Sequence, residues 1–494
     1  MSVERQVPAK ARTYFDAFVG NPPFMGGSRL TSEAGESYSQ WLAQEFAPAK
    51  GQTDLCAYFF RRAADLLGTH GAIGFIATNS IAQGDTAASG LRVLLQQGCR
   101  IYSANRTVSW PGKAHVVVSI VHVARGTASR SDLPNALDGR IVRAINDRLE
   151  PRSLRQPPVP LTANKGVAGL GVRIDGPGFL IPTAAAELPE HEGARRAGVL
   201  RPYLGADELN DVGWMRPPEY VIDLHNQDEA SARGAWPELF RIAEDMVKPA
   251  RVARGRGDDW WRFSIPRFYS SYGHHEREVL AAAVYTKHLI WSFVPGSVCL
   301  NSKVFVVDVA SRAAFAVLQS RVHDAWAWAH SSTLKQDLAY SAQDAFQTFP
   351  FPSEDLRTST ADVERAGQVL HEARTNYMTV AGVGLTATYN RLKDPRCADA
   401  EIERLRELHM SADRAVLAAY GWGDISVPPY ALAQSEAERD ELVAFEEELI
   451  DRLSALNVER AESERLRGVP GKAKRIPVPA SGSLFDGRTG DDES

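Results

Sequence analysis

The tetrapeptide Asn21-Pro22-Pro23-Phe24 contains the residue types in this sequence that could carry chemistry. An exocyclic amine on a nucleobase is a poor nucleophile because its lone pair is delocalised into the ring. The Asn21 side-chain oxygen and the Pro22 carbonyl are two acceptors that can pull the amine nitrogen toward tetrahedral geometry. Pro22 and Pro23 restrict the backbone and so hold the direction of that carbonyl. Phe24 offers a flat apolar face for stacking on an extruded base. The alternative is that the tetrapeptide is an ordinary turn.

The elements around the tetrapeptide indicate that it follows a strand of an α/β domain. Phe15–Gly20 is a short apolar run that leads directly into Asn21. Apolar side chains at helical spacing predict a helix over residues 54–67. Further elements are predicted at residues 73–77 (strand), 91–97 (helix) and 116–123 (strand). This alternation predicts a parallel sheet, and ligands of such sheets bind at the carboxyl ends of the strands.

Composition limits the classes of protein to consider. The 494 residues leave room for about three domains, and 44% hydrophobic residues exclude a mostly disordered or fibrous chain. A net charge of −5 means that any nucleic-acid surface must be local. The four cysteines form no CxxC pair, which predicts reduced thiols and a cytoplasmic location. His274, His275 and Glu276 are too close in sequence to form a metal site, so no metal is expected. No apolar run is long enough for a membrane span.

The rest of the chain divides by pattern into three parts. Residues 146–355, with recurrent prolines, predict a second, mixed α/β domain. Strand-like runs occur there at residues 220–224, 289–293 and Val304–Val307. Residues 356–467 predict a helical segment, with amphipathic helices at residues 401–420 and Glu436–Leu466. Residues 468–494 are rich in Pro and Gly and predict a disordered tail.

A basic segment with interleaved aromatic residues occupies residues 248–267. Its basic residues are Lys248, Arg251, Arg254, Arg256, Arg262 and Arg267. Arginines beside glycines suit phosphate contacts, and Arg can read guanine in the major groove. Lys303 and Lys335 are weaker candidates for the same role. The alternative is a solvated segment with Trp260 and Trp261 in the core.

In order along the chain, the motifs resemble those of N6-adenine DNA methyltransferases. The resemblance is greatest to the MmeI-like type IIG restriction–modification enzymes and their phage-defence relatives of the DISARM and BREX kind. FVGNPPFMGG resembles motif IV, residues 54–67 motif V, GFIATNSIAQGD motif VI, and residues 104–123 motifs VII and VIII, the final hairpin of the fold. LNSKVFVV and YSAQDAFQTFPFP resemble the target-recognition domain, and TYNRLKDP and LHMSADRAVLAAYGW resemble the C-terminal helical segment.

The resemblance implies a fold and a set of roles. Residues 1–145 would form an incomplete Rossmann-like class I methyltransferase sheet, followed by a mixed α/β target-recognition domain and the helical segment. Asn21, Pro22, Pro23 and Phe24 would be catalytic, with Phe24 and Trp110 flanking a flipped adenine. The methyl donor would be S-adenosyl-L-methionine. Asp54, Leu55 and Phe59 could line its pocket, although ordinary helix packing is the slightly favoured explanation for them.

One departure from the family matters for the expected partners. The family binds S-adenosylmethionine at a glycine-rich turn, motif I, well before motif IV, and only 20 residues precede Asn21 here. The run GVAGLG (166–171) follows the catalytic motifs and is a weak candidate. We therefore expect a partner chain that carries the cofactor-binding half. The other expected partners are double-stranded DNA and nuclease or defence-system subunits.

Two further hypotheses stay open. The chain could be a catalytically inactive DNA-binding specificity module left from a truncated methyltransferase. It could instead methylate RNA or a protein glutamine amide, since similar tetrapeptides occur in such enzymes. A second domain of about 200 residues favours duplex DNA over the latter.

Overall fold

The computed structural model describes most of the chain. The described residues are 15–49, 52–110, 117–130, 134–151, 157–174, 176–211, 217–255, 257–263, 268, 277–334 and 337–468. Arg256, Arg267, Lys335, the His274–Glu276 cluster and the predicted tail beyond residue 468 lie outside them. No helix among the described residues is both long and apolar enough to cross a membrane.

The first region contains a six-stranded sheet, here called the first sheet. Its strands are β1 (Phe15–Gly20), β2 (Leu67–Thr78), β3 (Arg100–Ser109), β4 (Val117–Ala124), β5 (Asn135–Leu137) and β6 (Arg140–Val142), in the order β1-β2-β4-β3-β5-β6. β1 pairs with β2 in parallel, but β4 is antiparallel to both β2 and β3. The prediction of a parallel sheet is therefore wrong, and the sheet is mixed. Because so few residues join β3 to β4, the chain forms a hairpin there instead of a crossover.

Five helices accompany the first sheet. They are α1 (Gly27–Ala34), α2 (Glu36–Glu45), α3 (Leu55–Leu66), α4 (Gly84–Ser89) and α5 (Leu91–Gln96). The helix predicted over residues 54–67 is confirmed as α3, and Asp54 caps it by accepting a hydrogen bond from the Cys56 amide. Phe60 of α3 and Phe75 of β2 pack edge to face at 5.1 Å, which fixes the helix against the sheet.

The second region contains three smaller sheets. Its strands are β7 (Ala168–Leu170), β8 (Leu180–Pro182), β9 (Leu200–Leu204), β10 (Glu219–Ile222), β11 (Glu278–Ala283), β12 (Tyr285–Thr286), β13 (Ser292–Pro295), β14 (Cys299–Leu300), β15 (Val304–Val307), β16 (Ser332–Leu334) and β17 (Asp337–Ala339). They pair in the orders β14-β9-β10-β8, β13-β11-β15-β7 and β12-β17-β16. The strand predicted at Val304–Val307 is confirmed, whereas the run at 289–293 is a strand only from Ser292 onward.

The helices of the second and third regions complete the fold. They are α6 (Thr183–Ala186), α7 (Glu192–Arg196), α8 (Ala206–Leu209), α9 (Glu229–Ala235), α10 (Pro237–Met246), α11 (Lys248–Ala253), α12 (Arg312–Gln319), α13 (Arg321–His330), α14 (Ala361–Ala381), α15 (Leu385–Lys393), α16 (Ala400–Ala419) and α17 (Glu436–Leu466). The predicted helical character of residues 356–467 is confirmed, and α17 has the predicted bounds.

One hydrophobic core extends across the predicted boundary at residue 355. It runs from Leu280 of β11 through Trp326 of α13 to Leu453 of α17, and we call it the shared core. Arg321 and Asp413, both buried, add a hydrogen-bonded ion pair of 2.7 Å between α13 and α16. The helical segment is thus packed into the second region. The predicted domain boundaries stay predictions.

Candidate functional site

The candidate catalytic loop lies at one end of the first sheet. β1 and β2 are parallel, and β3 has the same direction because β4 is antiparallel to both β2 and β3. Asn21, which follows β1, Thr78, which ends β2, and Trp110, which follows β3, therefore occupy the same end of the sheet. This is the end at which open α/β sheets bind ligands.

The exposure of the loop residues suits a site that accepts a planar group. Asn21 and Pro23 are exposed, Pro22 is buried and Phe24 is half-buried. Within the described part of the chain, no hydrogen bond engages the Asn21 amide. Its oxygen is thus available as an acceptor, while the buried Pro22 ring anchors the backbone beside it. The catalytic roles of the four residues stay predictions.

The Asp54 carboxylate is hydrogen-bonded to the residue that follows the candidate catalytic loop. This buried carboxylate accepts hydrogen bonds from the backbone amides of Met25 at 3.3 Å and Cys56 at 3.1 Å. The Thr78 hydroxyl donates to the same carboxylate at 3.4 Å, and the Leu55 amide donates to the Met25 carbonyl at 2.9 Å. One carboxylate thus connects the residue after Phe24, the start of α3 and the end of β2.

A second set of polar contacts fixes the start of α3 against α4. The Thr53 hydroxyl donates to Ser89 at 2.8 Å, and the Asp54 amide donates to the Thr86 hydroxyl at 3.0 Å. Burial raises the pKa of the Cys56 thiol well above its usual value, and the neighbouring Asp54 carboxylate raises it further. Cys56 is therefore a neutral thiol in this structure, which agrees with a site that needs no covalent intermediate.

The three residues predicted to line the cofactor pocket have different environments. Asp54 is committed to the contacts just described, so its carboxylate positions the loop. Leu55 is half-buried against the small cluster around Leu30 and Tyr58. Phe59, one turn further along α3, is 42% exposed and so available to a bound group. Cofactor binding by these residues stays a prediction.

The glycine run at residues 166–171 has a packing explanation. It contains strand β7, which pairs with β15 in a sheet of the second region and not in the first sheet. A side chain at Gly171 would collide with the Leu300 carbonyl, and one at Gly169 would lie 2.8 Å from Phe268. Glycine is required at these two positions because other segments of the same chain lie too close to leave room for a side chain.

Trp110 lies at the correct end of the sheet for its predicted role. It is half-buried directly after β3. β3 is three strands from β1, which is about 14 Å at ordinary strand spacing. A flipped base would fill part of the distance between β1 and β3. Base stacking by Trp110 stays a prediction.

A contact between the first and second regions lies next to this end of the sheet and was missed by the sequence reasoning. The Gln83 amide donates to the Thr333 hydroxyl at 2.7 Å, and the Arg148 guanidinium donates to the Ser331 carbonyl at 2.6 Å. Gln83 follows β2 by five residues, whereas Thr333 belongs to β16. The hairpin β16–β17 is therefore held beside the candidate catalytic loop's end of the sheet.

The predicted DNA-contact residues that the structure describes fall into two groups. Arg251 is buried, and its guanidinium donates to the carbonyls of Ile174 at 2.9 Å, Trp260 at 2.8 Å and Arg262. It is therefore an internal crosslink, which argues against the predicted phosphate contact. Trp260 and Trp261 are buried in the core, as the alternative interpretation held.

The other basic residues are nearer the surface. Arg254 and Lys303 are exposed. Lys248 bonds Glu244 at 2.8 Å, and hydrogen bonds from Arg233 and Lys248 lower the pKa of Glu244 to about 2. Arg262 lies 3.8 Å from Asp259. Among the described candidates, Arg254 and Lys303 are thus the better placed for phosphates. Their contact with DNA stays a prediction.

No group of three or more His, Cys, Asp or Glu side chains that could hold a metal ion occurs within the described ranges.

Two family models match this chain. The model of the MmeI DNA-methyltransferase domain matches residues 3–133, and that of the MmeI target-recognition domain matches residues 169–353. Curated proteins gave no significant match.

The fold is similar to that of one solved restriction–modification enzyme, and two others give weaker superpositions. The type IIL enzyme MmeI in complex with DNA superposes with a TM-score of 0.64 at 20% identity, over 90% of this chain and 57% of that chain. This chain therefore spans little more than half the length of that relative. The DrdV–DNA complex gives a TM-score of 0.37 at 10% identity, over 92% and 57% of the two chains. The ATP-dependent type ISP enzyme LlaBIII bound to DNA gives 0.30 at 11% identity, over 59% and 24%.

Proposed function

Because this chain belongs to the MmeI-like DNA methyltransferases, we propose that it supplies the catalytic loop and the target-recognition domain of a site-specific adenine-N6 methyltransferase. The observation that carries this proposal is the Asn21–Phe24 loop at the carboxyl end of β1, fixed from behind by Asp54. Its reaction would serve restriction–modification or phage defence.

The loop acts on the target base through fixed acceptors. The Asn21 side-chain oxygen and the Pro22 carbonyl accept hydrogen bonds from the two N–H groups of the adenine amine. These bonds localise the nitrogen lone pair and stabilise the positive charge that develops as the amine becomes a nucleophile. Phe24 stacks on the extruded base, with Trp110 on the same end of the sheet. The Asp54 contacts keep the loop in position, so little reorganisation is needed when the base enters.

Bound S-adenosylmethionine supplies an electrophilic methyl group in reactions of this class. The described residues do not form a complete site for it. Phe59 offers an exposed aromatic face, but the first sheet as described contains no strand followed by a glycine-rich turn, and the 166–171 run is packed elsewhere. The residues of this chain would hold and orient the target base. The donor site would be completed by a cofactor-binding half outside these residues.

Sequence recognition would belong to the second region. It matches the target-recognition model, and the β16–β17 hairpin is tied to the first region through Thr333 and Ser331. That contact would fix the position of the target-recognition domain relative to the catalytic loop along the DNA duplex. Arg254 and Lys303 would add phosphate contacts, which position the protein without reading sequence.

The first prediction tests the loop directly. The full chain is expressed in methylation-free bacteria together with the polypeptide encoded immediately upstream of it, and N6-methyladenine in plasmid DNA is measured by mass spectrometry. Asn21→Ala should lower methylation by about 10²–10³-fold, because one of two acceptors for the amine is lost. DNA affinity should change little, since phosphate and groove contacts are untouched.

Asn376→Ala is the matched control, because Asn376 is exposed on α14 in the helical segment. It should methylate like the wild type. Methylation by the Asn21→Ala complex at the wild-type rate would reject the catalytic loop. DNA binding without any methylation by the wild-type complex would favour the inactive specificity module.

A further inference from the structure

A cavity of about 850 Å³ lies between the second region and the helical segment. Its walls come from α13, from the end of α15, from the segment after β12 and from residues 430–434, which follow α16. All of its lining residues lie between Lys287 and Gln434, so the cavity shares none with the candidate catalytic loop. Ligand pockets commonly measure about 300–1,000 Å³, so a small molecule fits here.

Most charged groups in the cavity wall already have partners. Arg321 forms the buried ion pair of the shared core. Arg396 donates to the Asp394 carboxylate at 3.0 Å. Lys287 donates to the side-chain oxygen of Asn390 at 2.8 Å. The remaining charged groups of the wall are one carboxylate and one ammonium.

These two groups belong to Asp324 and Lys393, which are both half-buried. Burial raises the pKa of Asp324, and the charge of Lys393 lowers it. Burial lowers the pKa of Lys393, and the charge of Asp324 raises it. The two charges therefore act on each other, yet among the described residues no direct ion pair joins them. The Lys393 ammonium lies 4.0 Å from the centre of the Tyr430 ring and has no hydrogen-bond acceptor within the described ranges. This favours a ligand that supplies an acceptor.

Trp328 provides an aromatic surface beside these charges. Its indole N–H donates to the Asp324 carboxylate, which fixes the orientation of the ring. The side chain packs in part against the shared core, and in the part of the chain that the structure describes no aromatic ring stacks on it. Tyr430 also lines the cavity, but His409 stacks on its ring at 4.2 Å and Lys393 lies over it. A planar ligand would therefore stack on Trp328.

Two cations lie where the cavity meets solvent. Lys287 and Arg396 are both exposed. Each keeps N–H groups beyond those used in its contact with Asn390 or Asp394, because an ammonium has three donors and a guanidinium five. Both groups suit a phosphate. The cavity thus combines an aromatic surface, an acceptor and a donor with two cations at its entrance.

We propose that this cavity binds a guanine nucleotide. The base stacks on Trp328, its N1–H and 2-amino groups donate to the Asp324 carboxylate, and its O6 accepts from Lys393. The phosphate lies toward Lys287 and Arg396. A free nucleotide and a guanine nucleotide within a strand offer the same chemistry. This site goes beyond the proposed methyl transfer and does not depend on it.

Guanine fits the polar groups of the cavity better than adenine does. A carboxylate accepts hydrogen bonds at two oxygens. Guanine places two adjacent donors, the N1–H and the 2-amino group, beside the acceptor O6. Adenine presents one amino group beside the acceptor N1, so part of the Asp324 carboxylate would stay without a donor. Hypoxanthine keeps the N1–H and O6 but lacks the 2-amino group. A polar group left without its partner is what gives such sites their discrimination.

The second prediction tests nucleotide binding by the full chain with titration calorimetry. GMP should bind at least about tenfold more tightly than AMP, with IMP between them, because the donors to Asp324 decrease in that order. Inorganic phosphate alone should bind at least about tenfold more weakly than GMP, because the contacts of the base are absent. Asp324→Asn should lower the affinity for GMP by about tenfold or more, since the amide replaces one acceptor oxygen with a donor. Lys393→Met should also weaken GMP binding, because the donor to O6 is lost.

Asp362→Asn is the matched control, because Asp362 is 80% exposed on α14 and does not line the cavity. It should bind GMP like the wild type. Circular dichroism and the melting temperature show whether each variant is folded. If Asp324→Asn does not fold, the double variant Lys287→Ala and Arg396→Ala replaces it, since both side chains are exposed. That variant should lose affinity for GMP and keep the wild-type affinity for guanosine.

The other outcomes separate the parts of the proposal. Equal affinity for GMP, IMP and AMP would overturn the assignment of guanine, and no binding of GMP would overturn the site. Wild-type affinity for GMP in both Asp324→Asn and Lys393→Met would place the nucleotide elsewhere and so reject the cavity. A single-stranded oligonucleotide with one dG that competes with GMP would support the site with a strand as the source, whereas lack of competition would support a free nucleotide. These measurements do not use methylation, so a failure of the proposed methyl transfer would leave them unchanged.

Discussion

In the shared core, buried charged side chains are hydrogen-bonded to other groups of the same chain. In the first sheet, the strand β1 that leads into the candidate catalytic loop has an exposed face. In the shared core, Arg321 bonds Asp413 and the carbonyls of Pro428 and Pro429. Arg374 bonds the Trp291 carbonyl at 2.7 Å. In the first sheet, by contrast, the apolar face of β1 has no cover among the described residues.

The difference indicates which half of the proposed enzyme is self-sufficient. Hydrogen bonds to carbonyls or carboxylates compensate the removal of water from buried cations. Arg61 of the first region is bonded to carbonyls in the same way, so the difference between the two regions lies in the exposed face of β1. An open, apolar strand is stable in isolation only at the cost of exposed surface. Under the proposed function, in which the cofactor-binding half lies outside these residues, we expect target recognition to reside in this chain and methyl transfer to need that half.

The largest expected effect comes from removing one partner of the buried ion pair. Asp413→Ala leaves Arg321 buried without its carboxylate and also removes an acceptor for the Arg321 amide at 2.9 Å. Breaking such a pair costs about 3–5 kcal/mol. We expect urea unfolding followed by hydrogen exchange to show loss of protection in α13 and α16, while β2 and β4 keep theirs.

Asp424→Ala serves as the matched control, since Asp424 pairs with Arg452 but is 63% exposed. Its effect should stay within about 1 kcal/mol, as for other surface pairs. Equal loss of protection in β2 and β4 for Asp413→Ala would mean that the two regions unfold as one unit. The proposed difference between the shared core and the first sheet would then be wrong.

Acid should also separate the two regions. His323 is fully buried, with its ring nitrogens 3.1 Å from the Leu318 carbonyl and 3.0 Å from the Tyr340 hydroxyl, and burial lowers its pKa to about 3. Burial likewise lowers the pKa of His409 well below its usual value, with help from nearby Arg374. Unfolding therefore takes up protons below about pH 6.5, the unfolded histidine value.

The stability of the shared core should accordingly be constant above about pH 6.5 and fall as the pH decreases toward 4. Thermal melting from pH 7.5 to pH 4.5, read by exchange in α13 and α16, measures this. Exchange in β2 and β4 of the first sheet, recorded in the same samples, gives the comparison with the first region. His323→Gln should lower stability at neutral pH but flatten the decline. An unchanged decline in that variant would place the titrating group elsewhere.

These contrasts mark the limit of what the sequence could predict. Local patterns were sufficient for α17, whose buried side chains recur at helical spacing, and for β15, which is a continuous apolar run that is buried throughout. The loop at Asn21 was located for the same reason, since an apolar run ends there. The alternation of strands and helices predicted a parallel sheet and was wrong for β4, because strand pairing depends on tertiary contacts rather than on the strand's own residues. The hairpin that the resemblance implies for residues 104–123 is the one that β3 and β4 form.

The roles of individual charged residues were the least predictable. Asp54 was named as a cofactor contact, yet its carboxylate is held by the Met25 and Cys56 amides, 29 and 2 residues away in sequence. Arg251 was grouped with its exposed neighbours because sequence cannot show that the Ile174 carbonyl, 77 residues away, lies within hydrogen-bond distance. Gln83 belongs to the stretch that resembles motif VI, but its contact with Thr333 was not predictable, because the two residues are 250 apart in sequence and lie in different regions.

The smallest expected effect concerns Arg254, which lies three residues after the buried Arg251. Within this one segment, Arg251 is buried and donates to backbone carbonyls, whereas Arg254 is exposed to solvent. Arg254→Ala should leave the melting temperature unchanged because the side chain is exposed at the end of α11. If it contacts a phosphate, the variant should bind duplex DNA more weakly, uniformly over sequences. The slope of log affinity against log salt should fall by about one.

Arg365→Ala is the charge-matched control, since Arg365 is exposed on α14 and pairs with Asp362 at 3.7 Å. Fluorescence anisotropy at several salt concentrations would compare the two variants. A change in the salt slope for Arg254→Ala alone would assign the end of α11 to the DNA surface. The same slope in both variants would remove α11 from that surface. The basic segment would then have a structural role, in which Arg251 donates hydrogen bonds to backbone carbonyls and Trp260 and Trp261 pack in the core.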